Sequence, residues 1–301
     1  MGSAAPRLLL VINPGSGRGR GAHAGDRAAE ALRSSGAIVH AVVGETADRA
    51  RELVIDALRQ RWDGMVVVGG DGTLSGIVDL VMDAALPVAV VPAGTGDDFA
   101  RALGIADVQP PEAAMAVLTG IRRPTDLGTA TSHGRTRVFL TVAAMGFDAK
   151  VSERTNRLRW PGGRLRYHVA LAIELLRLRP TRFRIAIDGA PSVCLPGTLF
   201  AVGNTSSYGG GMPMCMGARA DDGLLDAVHV APLSRSRLLR LFPLLLRGAH
   251  LTRPEVDHEH CRRVHVSAQD LMVYADGERI GVGECEIGII PDALVVMLPR
   301  R

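Results

Sequence analysis

The stretch Met65-Val66-Val67-Val68-Gly69-Gly70-Asp71-Gly72-Thr73-Leu74 decides the fold. Four apolar residues, three of them β-branched, run without alternation into a glycine-rich turn, and a helical pattern follows. Such a run reads as a strand buried on both faces, the kind found in parallel sheets covered by helices on either side. The flanking sequence repeats the pattern: strand-like runs at 8–12, 38–43, 65–68 and 88–91 alternate with helical segments at 25–35, 47–60 and 74–84. Strands and helices alternating at this pitch predict βαβ units and an α/β domain with a parallel sheet.

After Pro124 the character changes. Strands are predicted at 138–144, 182–188, 199–202, 225–230, 263–266, 271–274 and 294–298, between turns rich in glycine and proline, with helices only near 167–178 and 234–246. The expected organisation is an α/β domain over residues 1–125 and a mostly β domain over 126–301, the boundary falling at Arg122-Arg123-Pro124-Thr125 where proline ends the preceding helix.

Composition narrows the class. The 301 residues are 47% hydrophobic, ample for sizeable cores and incompatible with a disordered chain. The longest apolar stretches, such as 8–12, 65–68 and 241–246 with Pro243 inside, fall far short of the ~20 residues of a membrane-spanning helix. The run at 8–12 goes straight into Asn13-Pro14-Gly15 with no extended apolar region or cleavage site, so the cytoplasm is the expected compartment. Cys194, Cys215, Cys261 and Cys285 form no C-x-x-C pair and read as reduced thiols. Lys150 is the one lysine among 35 basic residues, and the formal net charge is +4. A bias this strong reflects codon composition rather than a nucleic-acid surface, and nucleic acid is not an expected partner. Arg154, Arg157, Arg159, Arg164, Arg166, Arg177, Arg179, Arg182 and Arg184 nevertheless crowd the middle of the chain. That clustering suits phosphate or an acidic membrane surface, with a solvated face as the alternative.

The glycine turns carry the chemistry. Gly69-Gly70-Asp71-Gly72-Thr73, between strand and helix, lets backbone N–H groups approach a phosphate with no Cβ in the way. The carboxylate of Asp71 repels phosphate unless a cation intervenes, and a magnesium-bound nucleotide resolves the conflict. The turn is neither a Walker A loop nor G-x-G-x-x-G; its alternative reading is a tight turn capped by Thr73. A second turn, Pro92-Ala93-Gly94-Thr95-Gly96-Asp97-Asp98, follows the fourth strand, and a third, Asn13-Pro14-Gly15-Ser16-Gly17-Arg18-Gly19-Arg20, follows the first. Thr95 and the glycine N–H groups can hold phosphate, while Asp97 or Asp98 binds a substrate hydroxyl or Asp98 simply caps a helix. In a parallel sheet all three turns lie on one edge, the usual ligand position in open α/β folds.

Asn13-Pro14-Gly15-Ser16-Gly17, Gly69-Gly70-Asp71-Gly72-Thr73 and Pro92-Ala93-Gly94-Thr95 through Asp98-Phe99-Ala100-Arg101 together resemble the diacylglycerol kinase catalytic-domain family of lipid kinases. That family includes sphingosine and ceramide kinases and bacterial soluble enzymes. The similarity continues through Asp126-Leu127-Gly128, Gly146-Phe147-Asp148, Gly209-Gly210-Gly211-Met212, Asp221-Asp222-Gly223-Leu224-Leu225-Asp226 and Asp276-Gly277-Glu278, so it spans nearly the whole chain. It implies an N-terminal α/β domain like those of NAD kinases and phosphofructokinases, followed by a β-rich, sandwich-like domain. It also implies transfer of the γ-phosphoryl group of ATP to a lipid hydroxyl, diacylglycerol to phosphatidic acid first among them, with ATP and Mg²⁺ as cofactors.

By the same resemblance ATP lies along Asn13, Pro14, Gly15, Ser16, Gly17, Thr46, Gly69, Gly70, Asp71, Gly72, Thr73, Leu74, Ser75 and Thr95. Asp71 faces the magnesium and triphosphate, and Glu278 matches the acceptor of the lipid hydroxyl's proton. A structural magnesium matches the side chain of Asp222 and the carbonyls of Arg219 and Leu224. Implied partners are the lipid substrate, a membrane surface bound peripherally and, as an open option, a second copy of the chain in a homodimer. The chain departs from the family's usual residues at Asp97 (asparagine), Arg18 (lysine) and Ser75 (asparagine).

Other features read as structural. Asp276-Gly277 alone is a type I′ hairpin signal. His258-Glu259-His260-Cys261 has ligand-type residues but reads as an exposed connection, so no metal is expected there. Met212, Met214 and Met216 line a lipid pocket or fill a core, and the leucine-arginine segments at 167–178 and 238–246 face a core or touch a bilayer. Two alternative functions remain at this level. An NAD kinase shares the Gly-Gly-Asp-Gly-Thr turn, but no Asn-Glu dipeptide follows it here. A nucleotide-binding regulator without catalysis is disfavoured by the intact Asp71 and Glu278.

Overall fold

The computed structural model describes residues 4–158, 160 and 164–300; Arg159 lies outside the described residues, as does the Arg164 side chain. The chain forms two compact units, Met1–Asp126 with Pro291–Arg301, and Leu127–Ile290. A single boundary at 125 marks the first crossing but leaves out the return of the last residues to the first unit, which no local sequence signal announces.

In the first unit β1 (Arg7–Ile12), β2 (Ile38–Val43), β3 (Gly64–Gly69) and β4 (Val88–Pro92) make a parallel sheet in the order β2-β1-β3-β4. The final residues of a long last strand, β14 (Glu278–Leu298), add alongside β4 through Val296 and Val88. Every residue of β3 is buried, as expected of a strand covered on both faces. Leu8, Leu10, Ile12, Val66, Val68, Ala89 and Val91 pack on one face against α1 (Ser16–Ser34) and α6 (Pro110–Thr119). Each fully buried Val or Leu there contributes about 1.5–3 kcal/mol. Small residues let α1 come close: a Cβ on Gly25 would sit 2.8 Å from Ile12 side-chain atoms.

The other helices are α2 (Ala47–Ala57), α3 (Asp71–Ser75), α4 (Val78–Asp83) and α5 (Asp98–Ala102). The single helix predicted at 74–84 is thus two. Arg51 explains the break: its Nη1 donates to the Gly76 carbonyl at 3.0 Å, and its two nitrogens grip Asp79 at 2.6 and 2.5 Å.

The second unit is mostly antiparallel sheet. It contains the end of β5 (Ile121–Ser132), β6 (Arg135–Phe139), β7 (Val142–Gly146), β8 (Thr181–Ile187), β9 (Val193–Gly197), β10 (Leu199–Gly203), β11 (Leu225–Val230), β12 (Val256–Cys261), β13 (Arg263–Ala275) and the start of β14. The main path runs β12-β11-β10-β7-β13-β14, and β8 with β9 extends from β13. β13 pairs with β8 through Val264–Ser267 and with β7 through Val273 and Tyr274; between them a register shift lets the strand bend from one partner to the other. Phe139, Phe183 and Phe200 lie in the buried core that results.

Helices α7 (Phe147–Arg157), α8 (Arg164–Leu176) and α9 (Arg235–Leu246) complete this unit among the described residues. The predicted strand 138–144 is broken at Leu140 and Thr141, whose N–H groups are taken by the Asp276 carboxylate at 2.7 and 3.2 Å. α7 was not expected, because its sequence is mostly polar and buries only Phe147, Ala149 and Val151. The segment 256–261, read as an exposed connection, is the strand β12 at the end of the sheet path.

Candidate active site

Three glycine turns meet on the carboxyl edge of the first unit because the strands that carry them end in register. Ile12 pairs with Val68, and Gly69 pairs with Pro92. The order β2-β1-β3 places the topological switch point between β1 and β3, where open α/β sheets bind ligands. Asn13 Nδ2 donates to Thr73 Oγ1 at 3.1 Å, and Ser16 Oγ lies 3.4 Å from the same oxygen. A Cβ on Gly17 would come within 2.1 Å of the Ala93 carbonyl, and one on Gly94 within 2.6 Å of Gly70 Cα. Glycine is therefore required for the turns to interlock. Gly72 is different: nothing lies within 4 Å of where its Cβ would be, so its bare backbone faces open space that a phosphate can enter.

Asp71 holds the second and third turns together. Its Oδ2 accepts from the Asp98 N–H at 2.8 Å and its Oδ1 from the Phe99 N–H at 3.0 Å, capping α5 from across the edge. The sequence reading gave Asp71 only a cation-facing role; the geometry adds this clasp. A carboxylate has about four acceptor positions, so two N–H bonds do not exhaust it. Asp97 sits in a left-handed conformation (φ 52°) and accepts the Gly94 N–H on Oδ1 at 2.9 Å. An asparagine offers the same oxygen, which explains why the departure at Asp97 leaves the turn intact; burial raises its carboxyl above the usual range. Arg20, which sequence reasoning missed, donates to the carbonyls of Gly17 and Gly94, bracing the first turn against the third. Arg18 points outward, exposed, at φ 64°.

Pro14, Gly15, Gly69, Gly70, Leu74 and Ser75 lie within these turns or at their helix starts. Thr46 follows β2 and caps α2, its Oγ1 accepting the Arg49 N–H at 3.2 Å, while Thr95 is exposed at the tip of the third turn.

In the second unit, Asp276 and Gly277 have φ 51° and 86° and join β13 to β14 as the predicted tight turn, with Ala275 paired to Glu278. The hairpin reading of Asp276-Gly277 therefore holds, and the turn sets Glu278 at the first position of β14. Asp276 anchors the turn through Leu140 N, Thr141 N and, at 2.6 Å, Thr141 Oγ1. Glu278 is exposed at an open pocket of about 490 Å³ that also contains Glu153, Asn156, Arg157, Tyr274 and Arg279. Glu153 receives the Tyr274 hydroxyl and pairs with Arg157 and Arg279, and Asn156 Nδ2 donates to the Gly277 carbonyl at 3.3 Å. Burial, and then the hydrogen bond to Glu153, push the Tyr274 phenol up to about 12. These residues lay hidden in sequence because α7, which spaces Glu153, Asn156 and Arg157 along one face, was not recognised.

Arg219, Asp222 and Leu224 share one turn, with Gly223 at φ 72°. The Asp222 carboxylate accepts the Leu224 N–H at 3.0 Å, while the Arg219 guanidinium pairs with Asp221 instead. An open turn offering a carboxylate and main-chain carbonyls is a donor set of the kind hard cations take.

Residues 7–130 match the diacylglycerol kinase catalytic domain, and residues 141–298 match the YegS C-terminal NAD kinase beta sandwich-like domain. The chain belongs to the diacylglycerol kinase catalytic-domain family of lipid kinases. A diacylglycerol kinase of Mycobacterium tuberculosis is 40% identical over 98% of this chain and 96% of its own length. A diacylglycerol kinase of Bacillus anthracis shares the lipid-kinase fold at a TM-score of 0.72, 18% identity and 98% coverage of both chains. The fold is also similar to that of an Archaeoglobus fulgidus NAD kinase in complex with ATP, at a TM-score of 0.52 and 15% identity over 98% of this chain and 94% of that one.

Proposed function

We propose that this lipid kinase transfers the γ-phosphoryl group of Mg-ATP to the hydroxyl of diacylglycerol, giving phosphatidic acid and ADP. Family membership supports kinase chemistry, and the name of the Mycobacterium tuberculosis relative supports the lipid. The observation that carries the reading is Glu278: an exposed carboxylate, fixed by an anchored turn, at an open pocket a lipid headgroup can enter.

The chain's own residues divide the work. The interlocked turns at Gly17, Gly70, Gly72 and Gly94 present backbone to the phosphates, and Asp71 keeps the second and third turns in register. Glu278 takes the hydroxyl proton as the new oxygen–phosphorus bond forms and the bond to the ADP oxygen breaks. Magnesium, when bound beside Asp71, neutralises phosphate charge and helps hold the transferred group in line.

Membrane docking is part of the proposal. No described helix is long and apolar enough to cross a membrane. Trp160 is 83% exposed, and Leu165 and Leu176 are exposed in the same arginine-rich segment, which also exposes Arg157, Arg177, Arg179, Arg182 and Arg184. Exposed indole and leucine interleaved with arginine suit an anionic bilayer surface.

The test is a parallel assay with γ-labelled ATP and magnesium on diacylglycerol vesicles, ceramide vesicles and NAD⁺. Label is expected in phosphatidic acid. Label in NADP⁺ alone, or in ceramide phosphate alone, overturns the proposal.

A further inference from the structure

β11 and β12 bring three ligand-type side chains to one face of the sheet. Asp226 lies directly opposite His260 in the ladder, and His258, two residues along β12, projects to the same side. His258 Nε2 is 2.6 Å and His260 Nδ1 3.4 Å from Asp226 Oδ1, and the three donor atoms all lie within 4.8 Å of one another.

The burial gradient across this group is steep. The Asp226 side chain is 1% exposed, that of His258 24% and that of His260 56%. Asp226 Oδ2 is buried with no hydrogen-bond partner among the described residues. The His258 ring nitrogen beside Oδ1 accounts for one carboxylate oxygen and leaves the other unanswered. Buried carboxylates without full pairing are rare because dehydration of the charge is costly, unless a cation compensates. Burial raises the Asp226 carboxyl, and the His258 hydrogen bond draws it back down.

We propose that Asp226, His258 and His260 form a binding site for a first-row divalent transition-metal ion of the Zn²⁺ type, distinct from the hard-cation turn at Asp222. Two imidazoles and one carboxylate are borderline donors that suit such ions better than Mg²⁺ or Ca²⁺. Ligands at Zn²⁺ bond lengths in a tetrahedron lie roughly 3.3 Å apart. The Asp226–His260 separation of 3.4 Å already meets that spacing, and the 2.6 Å Asp226–His258 contact opens with a small side-chain rotation. The exposed side of His260 leaves the fourth position to water. Such an ion cross-links β12, the terminal strand of the main sheet path, to β11.

The sequence shows His258 and His260 as ligand-type residues but not their partner, because Asp226 is 32 positions from His258 and the histidines were read as a connection rather than a strand.

Cobalt(II) titrated into the full-length, tag-free, chelator-treated protein tests the site. One equivalent is expected to give visible d–d bands that Zn²⁺ abolishes and excess Mg²⁺ does not. His260→Ala removes an exposed ligand without touching the core. It is expected to cost more than the roughly 10–100-fold in affinity that outer-shell partners cost. Asp226→Asn should do the same, whereas Asp222→Ala should retain the bands. No bands with wild type, bands that survive His260→Ala, or displacement by Mg²⁺ overturns the proposal. A circular-dichroism spectrum of each variant matching wild type shows that the loss is of ligand, not of fold.

Discussion

Asp71→Asn separates the two roles that the structure combines in one carboxylate. Asp71 Oδ2 and Oδ1 accept the N–H groups of Asp98 and Phe99 at 2.8 and 3.0 Å, so the side chain caps a helix 27 residues away. An asparagine keeps one acceptor and turns an amide NH₂ toward the other N–H, replacing an attraction with two opposed donors. A hydrogen bond to a charged group contributes about 1.5–3 kcal/mol, and the surviving bond loses its charge assistance, so the loss is on the order of 2–4 kcal/mol. Each kcal/mol lowers the melting temperature of a domain this size by roughly 3–5 °C, which gives a fall of roughly 6–20 °C. Thermal melts by circular dichroism, with and without Mg-ATP, read both roles. The variant should melt well below wild type, gain no stability from nucleotide and lose phosphotransfer. An inactive variant with a wild-type melting temperature would refute the clasp and leave Asp71 a purely cation-facing group.

Three further outcomes are expected. The Asp148 carboxyl is raised by burial to about 7 in the folded chain, against 3.8 ordinarily, so the unfolded state releases its proton first and stability falls as pH climbs from about 4 to 7, by up to roughly 4 kcal/mol; urea titrations should show this slope in wild type and lose it in Asp148→Asn. If Asp222 anchors a hard cation, chelation lowers the melting temperature of wild type but not of Asp222→Ala, and equal responses contradict that site. Reversing Arg177, Arg179 and Arg184 to glutamate should reduce activity on anionic vesicles to the level that high salt produces, each arginine near the surface being worth about 1 kcal/mol of attraction; vesicle activity indifferent to lipid charge and to the reversals rules out arginine-led docking.

How much was legible in sequence follows from the range of each interaction. The turn at Gly69-Gly70-Asp71-Gly72-Thr73 announces itself because tight backbone approach demands glycine at fixed local positions, and the parallel order of β1, β3 and β4 then brings the three turns to one edge. The same local logic gave Asp276-Gly277 as a turn. What failed was non-local or polar. Arg51 splits the helix at 74–84 from a different element, and Asp276 breaks the strand at 138–144 from 135 residues away. β12, with Asp257, His258, Glu259 and His260 in succession, has none of the apolar alternation by which strands are recognised, yet its ladder with β11 holds it in the sheet. Arg20 and Glu153 were invisible because their roles depend on carbonyls and side chains that only the fold assembles.

The most direct test of the central claim is a single-turnover transfer of label from γ-labelled ATP into chloroform-soluble lipid by wild type and Glu278→Gln, with ATP affinity measured alongside. Wild type should convert diacylglycerol to labelled phosphatidic acid. Glu278→Gln should bind ATP as wild type does and transfer label roughly 10²–10⁴-fold more slowly, as loss of a general base requires. Label that stays in the aqueous phase with wild type, or a Glu278→Gln rate equal to wild type, contradicts lipid phosphorylation with Glu278 as its proton acceptor.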